Sequence, residues 1–166
     1  MVRDLMVHLD GSGEDDVRLE FGRAIAAEHR AQLIGLFTNL LPDFSIAMPI
    51  EAGASPVMDI VSELEDRARK DGDQTAGRLR ERLSALQVPV ELRRLDDTFA
   101  SLNAKATEEA RCADLFLATR PHGESEGPVW VDLVETVLFG SGRALLLLPP
   151  WRSAGSGSSL KGAHTG

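Results

Sequence analysis

Cysteine is nearly absent from the sequence, since Cys112 is the single one among 166 residues. One cysteine can form no internal disulfide and supplies no cysteine-rich metal motif. Long apolar runs are missing too, because no stretch approaches the roughly 20 residues that a membrane-spanning helix requires. The opening residues, MVRDLMVHLDGSG, combine a short apolar run with an early Asp4 and do not fit a secretory signal peptide. These absences predict a soluble protein of a reducing, cytoplasmic compartment with no membrane partner.

Positive charge is also scarce. The chain has 18 lysines and arginines against 26 aspartates and glutamates, which gives a formal net charge of −8. This negative charge opposes binding to nucleic acids and to anionic membranes, so neither is predicted as a partner. Any phosphate-bearing ligand would have to be held by local groups. Histidines, cysteine and carboxylates do not show metal-ligand spacing, so no metal is predicted.

The sequence lacks the signature motifs of several enzyme classes. The sequence has no GxxxxGK[ST] phosphate loop and no GxGxxG dinucleotide fingerprint, and Gly11-Ser12-Gly13 resembles a phosphate loop only loosely. A receiver-type phosphorylation domain would need a lysine after its last strand, where Pro149 and Pro150 stand instead. Nucleophilic hydrolase chemistry is not predicted either. We therefore expect no enzyme and no catalytic residue.

The sequence does contain apolar runs of strand length that alternate with amphipathic segments of helical period. Strands that alternate with helices imply right-handed crossovers and a parallel sheet. The predicted fold is α/β, a five-stranded parallel, doubly wound sheet of the Rossmann-like type. The predicted strands cover residues 5–9, 32–37, 88–92, 113–118 and 144–148, and the predicted helices cover 14–30, 55–86, 98–111 and 129–138.

The length fits one domain, predicted to cover residues 1–150, and residues 151–166 read as a mobile Gly/Ser-rich tail. Residues 39–54 mix apolar side chains with prolines and predict a long ordered loop packed over the sheet. Two interpretations of that loop remain open. It is either a lid that covers core or the lining of a small-molecule site, with the lining formed by Phe44, Met48 and Ile50.

Finer features are predicted from the same patterns. The buried face of the first helix is expected at Val17, Phe21, Ala24, Ile25 and either Ala26 or Ala27. A long apolar stripe is expected along the whole second helix, with an interruption near Gly72. The third helix is expected to be capped by Asp96-Asp97-Thr98. The fourth and fifth strands lack polar alternation, which is typical of strands covered on both faces.

In a doubly wound sheet, ligands bind beyond the carboxyl ends of the strands, near the point where the strand order reverses. Four stretches of this sequence fall at such ends: residues 10–13, 37–39, 96–97 and 119–127. Asp10 either caps the turn after the first strand or contacts a ligand, and both interpretations stay open. His8 lies inside an apolar strand and is predicted to be a core histidine.

Three stretches together suggest a family: LMVHLDGS near the start, then ARCADLFLATRP, then VETVLFGSGRALLLLPP. In their order and spacing, over residues 3–150, they resemble the universal stress proteins. The resemblance implies a small α/β protein that often forms a homodimer by pairing the last strands of two subunits. In this chain that dimer strand would consist of Ala144, Leu145, Leu146, Leu147 and Leu148.

One branch of the family binds ATP. There, an aspartate of the first strand approaches the adenine, and a pattern Gly-x2-Gly-x9-Gly-Ser/Thr after the fourth strand cradles the phosphates. Asp10 matches the aspartate, but Thr119, His122 and Asp132 stand where the glycines should be. Side chains block close approach of the backbone, and acidic residues repel phosphate, although Arg120 and His122 would offset part of that repulsion. The resemblance therefore implies the branch without bound ATP and without a cofactor.

Three functional hypotheses follow. The leading one is a non-enzymatic stress-response or regulatory protein that acts as a homodimer and through an unidentified protein partner. The second is an adenine-nucleotide switch for ATP or AMP, or a slow ATPase, that uses Asp10 and the loop 119–132. Its ligand contacts would be Asp10, Gly11, Ser12, Phe37, Thr119, Arg120, His122 and Asp132. The third is a different small molecule, bound by the apolar segment 40–50.

Overall fold

The computed structural model describes residues 1–43, 55–120 and 129–149, without the side chains of residues 55–58 and 129. Within those ranges strands and helices alternate, as predicted. The strands are β1 (Asp4–Leu9), β2 (Gln32–Leu40), β3 (Val90–Asp97), β4 (Leu115–Thr119) and β5 (Ala144–Leu148). The helices are α1 (Glu14–His29), α2 (Ser55–Ser84), α3 (Phe99–Ala110) and α4 (Val129–Gly140). Most of the loop predicted at 39–54, with Phe44, Met48 and Ile50, and the tail 151–166 lie outside the described residues.

The five strands pair in parallel in the order β3-β2-β1-β4-β5. From the central β1 the chain extends the sheet first through β2 and β3, and later through β4 and β5 on the other side. This topology confirms the predicted doubly wound α/β fold. The strand order reverses between β1 and β4, so the carboxyl ends of these strands, at Leu9 and Thr119, mark the edge where ligands of such folds bind.

The sheet separates two hydrophobic cores. Alternate residues of β1 enter them, because successive side chains of a strand point to opposite faces. Leu5, Val7 and Leu9 pack with residues of α1 and α2, whereas Met6 packs with residues of α3 and α4. Since both faces are covered, the central strands are apolar throughout instead of alternating with polar residues.

The buried face of α1 differs from the prediction. The face that meets the sheet carries Asp15, Arg18, Leu19, Gly22 and Ala26, while Phe21 remains 49% exposed. The helix packs so closely that a Cβ on Gly22 would lie 2.9 Å from Val7 Cγ2. Close packing selects the side of the helix that carries Gly22. The prediction was right for Ala26, and Val17 and Ile25 also pack against the core, but Phe21 and Ala24 are exposed.

The stripe predicted for α2 holds only in its second half. Ala76, Leu79 and Leu83 are buried, whereas Ile60 and Leu64 are 57% and 40% exposed. The helix is continuous through Gly72, so the predicted interruption is wrong. The helix has 30 residues and spans about 45 Å, which exceeds the length of any strand here. Its first half therefore extends past the carboxyl edge of the sheet.

Two predictions about strands also need correction. β3 continues to Asp97 because its ladder with β2 runs on to the pair of Leu40 and Asp97, so Asp96 and Asp97 end a strand and Thr98 is the N-cap of α3. β5 is an edge strand, and the prediction that both its faces are covered is wrong within the single chain. Leu146 and Leu147 are 36% and 39% exposed. No helix in the described ranges has the length and apolar character needed to cross a membrane.

Candidate functional site

A small pocket lies where the strand order reverses, at the carboxyl ends of β1 and β4. Its cavity is about 10 Å³, enough for roughly one water molecule. The strand ends, the start of α1 and the first turns of α4 supply its walls. The lining residues are His8, Asp10, Arg18, Thr119, Trp130 and Val134.

His8 sits in this wall as a neutral imidazole. Its Nδ1 lies 3.2 Å from Arg18 Nη1, and because a guanidinium can only donate, Nδ1 must accept. Nε2 therefore carries the proton and donates to Thr38 Oγ1 at 2.9 Å. Burial, and after it the Arg18 charge, lower the pKa of His8 to about 3, against the opposing effect of Asp10. His8 is a hydrogen-bonded core histidine, in agreement with the prediction from sequence.

Arg18 joins the groups of the pocket. It is 2% exposed, and its Nη2 lies 3.2 Å from both carboxylate oxygens of Asp10. Its Nη1 donates to the His8 carbonyl oxygen at 2.9 Å and lies 3.6 Å from Asp15 Oδ1. Asp15, which is fully buried, also accepts the backbone N–H groups of Asp10 and Gly11 at 3.2 and 2.9 Å. Two buried carboxylates therefore share one guanidinium.

The two carboxylates respond to this arrangement in opposite directions. Burial is the largest single effect and opposes ionisation of Asp10, but the Arg18 charge, together with smaller contributions that include hydrogen bonds from Ser12, outweighs it, and the pKa of Asp10 falls to about 2. Burial raises the pKa of Asp15 to about 7; Arg18 acts against this rise and the Asp10 charge adds to it. A like charge held nearby disfavours a second ionisation. The cluster of Asp10, Asp15 and Arg18 thus gains or loses one proton near neutral pH.

An Asp15→Asn variant is expected to remove a pH-dependent part of the stability. The pKa of Asp15 is about 7 in the native protein against an ordinary value of 3.8, so between these pH values the native state holds a proton that the unfolded chain has lost. This contribution is fully present below the unfolded pKa and disappears as pH rises through about 7. The free energy of unfolding of wild type minus that of the variant should therefore fall by about 4 kcal/mol over this range.

Urea denaturation of both proteins at several pH values measures this difference. The effect of His8 has the opposite sign, because its lowered pKa removes stability as pH falls below its ordinary 6.5. Since both proteins contain His8, that contribution largely cancels in the subtraction. A difference that stays constant with pH would show that Asp15 is ionised in the native protein throughout.

Two polar atoms of the pocket-lining side chains have no hydrogen-bond partner among the described residues. They are Arg18 Nε and Thr119 Oγ1, and both are fully buried. A buried polar atom without a partner costs about 1–3 kcal/mol. The Trp130 ring closes the pocket from α4, edge-on to His8 with centroids 4.9 Å apart at 61°. A water or a polar ligand atom in the pocket would satisfy the two orphaned groups.

The structure brings some of the residues predicted as ligand contacts together at this pocket. Asp10 and Thr119 both line it, and Ser12 Oγ accepts from Arg18 Nη2 at 3.2 Å. Gly11 is in the adjoining turn with φ of +82°, a conformation that favours glycine. Asp10 also caps this turn, since its Oδ1 accepts the Ser12 N–H at 3.0 Å. Its side chain is thereby occupied within the protein.

Other predicted contacts lie apart from the pocket. Phe37 is 2% exposed and packs in the core beneath α1 and α2, with the Arg94 guanidinium 6.0 Å from its ring centroid. Arg120 is exposed, and its backbone N–H donates to the Leu148 carbonyl oxygen. Asp132 is exposed in the first turn of α4. His122 lies outside the described residues.

Asn39 and Asp96, from the predicted stretches 37–39 and 96–97, form a separate polar cluster with Arg94 at the ends of β2 and β3. Asn39 Nδ2 donates to Asp96 Oδ1 at 2.6 Å and to the Ala68 carbonyl oxygen at 3.2 Å. Arg94 Nη2 also binds Asp96, at 2.7 Å. These bonds fasten α2 to the sheet edge, on the far side of β1 from the Thr119 pocket.

Sequence reasoning missed Arg18, Asp15 and Trp130. No motif in the sequence marks any of the three. A signal did exist, because Leu19, Gly22 and Ala26 define a small-residue face of α1 that also includes Asp15 and Arg18. A helix face that combines small residues with an acid and a base three positions apart is unusual for a solvated surface.

One motif also escaped the sequence analysis. Residues 123–127 read GESEG, which matches the GxSxG pattern of nucleophile elbows. In those enzymes the serine sits on a sharp turn that leads directly from strand to helix. Here β4 ends at Thr119 and α4 begins at Val129, so the pattern stands apart from both elements and lies outside the described residues. In the part of the chain that is described, no three histidine, cysteine or acidic side chains are grouped as a metal site would require.

No protein-family model matches the chain, and no curated protein matches it in sequence. Solved structures do match. A hypothetical protein designated MJ0577 aligns with a TM-score of 0.64 at 14% identity, over 91% of this chain and 98% of that one. A universal stress protein family member from Burkholderia pseudomallei aligns with a TM-score of 0.56 at 19% identity, over 89% and 96% of the two chains. A universal stress protein in complex with cAMP aligns at 0.50, also at 19% identity over 89% and 96%. At these identities the likeness establishes a shared fold.

Proposed function

We propose that this chain, which has the fold of the universal stress proteins, is a non-enzymatic stress-response or regulatory protein of that type. It acts as a homodimer, in the cytoplasm, and does not hold ATP by the usual glycine-rich loop. The element order and the similarity of about nine-tenths of the chain to such structures support the assignment to the family.

The proposal that ATP is not bound in the usual way rests on the contacts of the Asp10 side chain. In the nucleotide-binding branch that the sequence resembles, this aspartate approaches the adenine. Here both of its carboxylate oxygens face Arg18 Nη2, and Oδ1 also accepts the Ser12 N–H. The adjoining cavity of about 10 Å³ is far too small for a purine base, because Trp130 and Arg18 fill the space. Ligand binding by the usual mode would require these side chains to move and Asp10 to give up a buried ion pair.

The free edge of the sheet supports the homodimer. β5 pairs with β4 on one side, and its residues Leu146 and Leu147 are more than one-third exposed. A flat apolar edge strand favours pairing with another strand unless something protects it. Phe139 and Leu138, in the last turn of α4 just before β5, are 83% and 43% exposed. Pairing of two copies through β5 would cover the leucines and extend the sheet.

An adenine-nucleotide switch is the second candidate. Arg18 Nε and Thr119 Oγ1 are buried, without partners among the described residues, at the edge where doubly wound folds bind ligands. One structure of similar fold is a universal stress protein in complex with cAMP. If Trp130 swung outward, the enlarged pocket would offer a guanidinium, a hydroxyl and an aromatic face. Such a set suits a base and its ribose.

Isothermal titration with ATP and with AMP distinguishes the two candidates, on protein shown by absorbance and mass spectrometry to carry no nucleotide. The leading proposal predicts no heat and no thermal shift at millimolar nucleotide. The switch predicts micromolar binding that Thr119→Val weakens about tenfold, because the variant keeps the shape but removes the hydroxyl. Sedimentation of the same samples measures the mass, and a monomer at micromolar concentration would contradict the homodimer.

A further inference from the structure

A second and larger cavity borders the turn that carries Asp10, beside Gly11. Its volume is about 100 Å³, against about 10 Å³ for the pocket at His8. It is formed between the turn before α1 and the second half of α2. The lining residues are Gly11, Thr75, Arg78, Leu79 and Arg82, and we call this space the arginine cavity.

Positive charge is in excess at the arginine cavity. Arg78 and Arg82 stand four residues apart on α2 and so occupy the same face of the helix. Arg82 forms an ion pair with Asp16, whose side chain is 78% exposed. Arg78 Nη2 donates to Thr75 Oγ1 at 3.0 Å, and no carboxylate of the described ranges lies within ion-pair distance of it. Within the described ranges, Arg78 therefore borders the cavity without a carboxylate counterion.

The geometry of the cavity suits an anion with several oxygens. Two guanidinium groups one turn apart can each direct paired N–H donors at a phosphate. Thr75 Oγ1 accepts from Arg78, so its own proton remains available for a further bond. Gly11 lets the turn approach α2 closely beside the cavity, because a Cβ there would come within 2.8 Å of Thr75 Cγ2. Leu79, 1% exposed, forms an apolar floor.

We propose that the arginine cavity binds a dianionic phosphate group, as inorganic phosphate or as the phosphomonoester of a small metabolite, through Arg78, Arg82 and the Thr75 hydroxyl. The site is separate from the Thr119 pocket and requires neither a nucleotide base nor a dimer. Asp16 competes with the anion for Arg82, which limits the affinity of the free protein. Phosphate binding at this cavity can therefore be tested independently of the proposed stress-response function.

The experiment is a titration of the full chain, followed through the arginine side-chain N–H signals in ¹⁵N NMR spectra. One arm uses inorganic phosphate, with sodium chloride of matched ionic strength as the blank because exposed charges are screened by salt. The other arm uses ribose 5-phosphate, with ribose as the blank. Saturable shifts of Arg78 and Arg82 at millimolar concentration are expected. Binding of the sugar phosphate alone would identify a phosphomonoester site, whereas binding of both would identify the phosphate group itself as the ligand.

Three variants make the test specific. Arg78→Gln is expected to weaken binding about tenfold through loss of a charge-assisted contact. Asp16→Asn should strengthen it about threefold, because it frees Arg82. Arg80→Gln is the matched control, since Arg80 is an exposed residue of the same helix, two positions and about 200° away from Arg78, and should leave binding unchanged.

Two results would overturn the proposal. One is the absence of saturable shifts with both ligands in wild type and in Asp16→Asn. The other is equal weakening by Arg78→Gln and Arg80→Gln, which would show diffuse charge attraction and no site. Thr119→Val, which weakens nucleotide binding under the switch hypothesis, should leave phosphate binding at the arginine cavity intact. The variant therefore shows which of the two hypotheses has failed.

Discussion

Replacement of Arg18 by methionine is expected to lower the free energy of unfolding by about 3–5 kcal/mol, the usual effect of breaking a buried ion pair from one side. Methionine fills much of the space of the arginine stem, so the loss of packing is small. The loss of charge is what matters. Asp10 and Asp15, both largely removed from water, would be left without the guanidinium that now lies 3.2 and 3.6 Å from them.

Urea denaturation at neutral and at mildly acidic pH measures the effect and its sign. Without Arg18, the pKa of Asp10 rises above that of the unfolded chain and the pKa of Asp15, which is already above it, rises further, so the native state binds more protons. Stability of the variant should then increase as pH falls through the window between the two sets of pKa values. The double variant Arg18→Met with Asp15→Asn should recover part of the loss, because it removes one of the two unpaired carboxylates.

Arg23→Met is the matched control on the same helix. Arg23 pairs with Glu20 at 2.6 Å, but both side chains are substantially exposed. Exposed pairs of this kind contribute little to stability, so the control should unfold at nearly the same urea concentration as wild type. If Arg18→Met behaved like this control, the buried cluster would not depend on its guanidinium, and the explanation of the pKa values given above would fail.

Gly72→Ala is expected to destabilise the protein by about 2 kcal/mol, against the general trend for helices. In a helix interior alanine is normally better than glycine by about 1 kcal/mol. At this position, however, a Cβ would lie 2.4 Å from Asn39 Nδ2 and 2.7 Å from Arg94 Nη2. Neither side chain can give way cheaply, because each holds Asp96 and a backbone carbonyl of α2 through hydrogen bonds.

Gly77→Ala, in the same helix, is expected to stabilise the protein. A Cβ at Gly77 would meet nothing within 4 Å. The substitution should therefore raise the free energy of unfolding by about 0.5–1 kcal/mol, through reduced entropy of the unfolded chain and better helix propensity. Thermal or urea unfolding of the two variants gives the comparison. Equal stabilisation by both would mean that α2 does not approach β2 and β3 as closely as the structure indicates.

These variants also separate what could be predicted from sequence from what could not. The positions of the strands followed from apolar runs, since a strand buried on both faces cannot tolerate polar residues. The bounds of β5 agree with the prediction residue for residue, and α1 begins at the predicted Glu14. Strand ends were less accurate. β2 and β3 continue past their apolar runs because the backbone ladder between them runs on to Leu40 and Asp97, and Asn39 is also hydrogen-bonded to Asp96.

The sequence predicted where the site lies but not all of the residues that form it. Asp10 and Thr119 could be placed at one edge because parallel strands end together. Arg18 could not be assigned, since its role depends on which face of α1 turns inward. Gly22 and the close approach to Val7 decide that face, not the apolar residues such as Phe21. Because this face of α1 turns inward, Asp15 also lies against the turn after β1.

By itself, the sequence determined the α/β class, the order of nine elements and the edge where a ligand would bind, because these depend on local periodicity and on the common direction of parallel strands. The tertiary structure decided the chemistry at that edge. Burial and distance make Arg18 the partner of Asp10, raise the pKa of Asp15 and leave Thr119 Oγ1 without a partner in the described part of the chain. Such effects arise between residues far apart or on opposite faces, so the physical reason lies in desolvation and packing, which no linear pattern specifies.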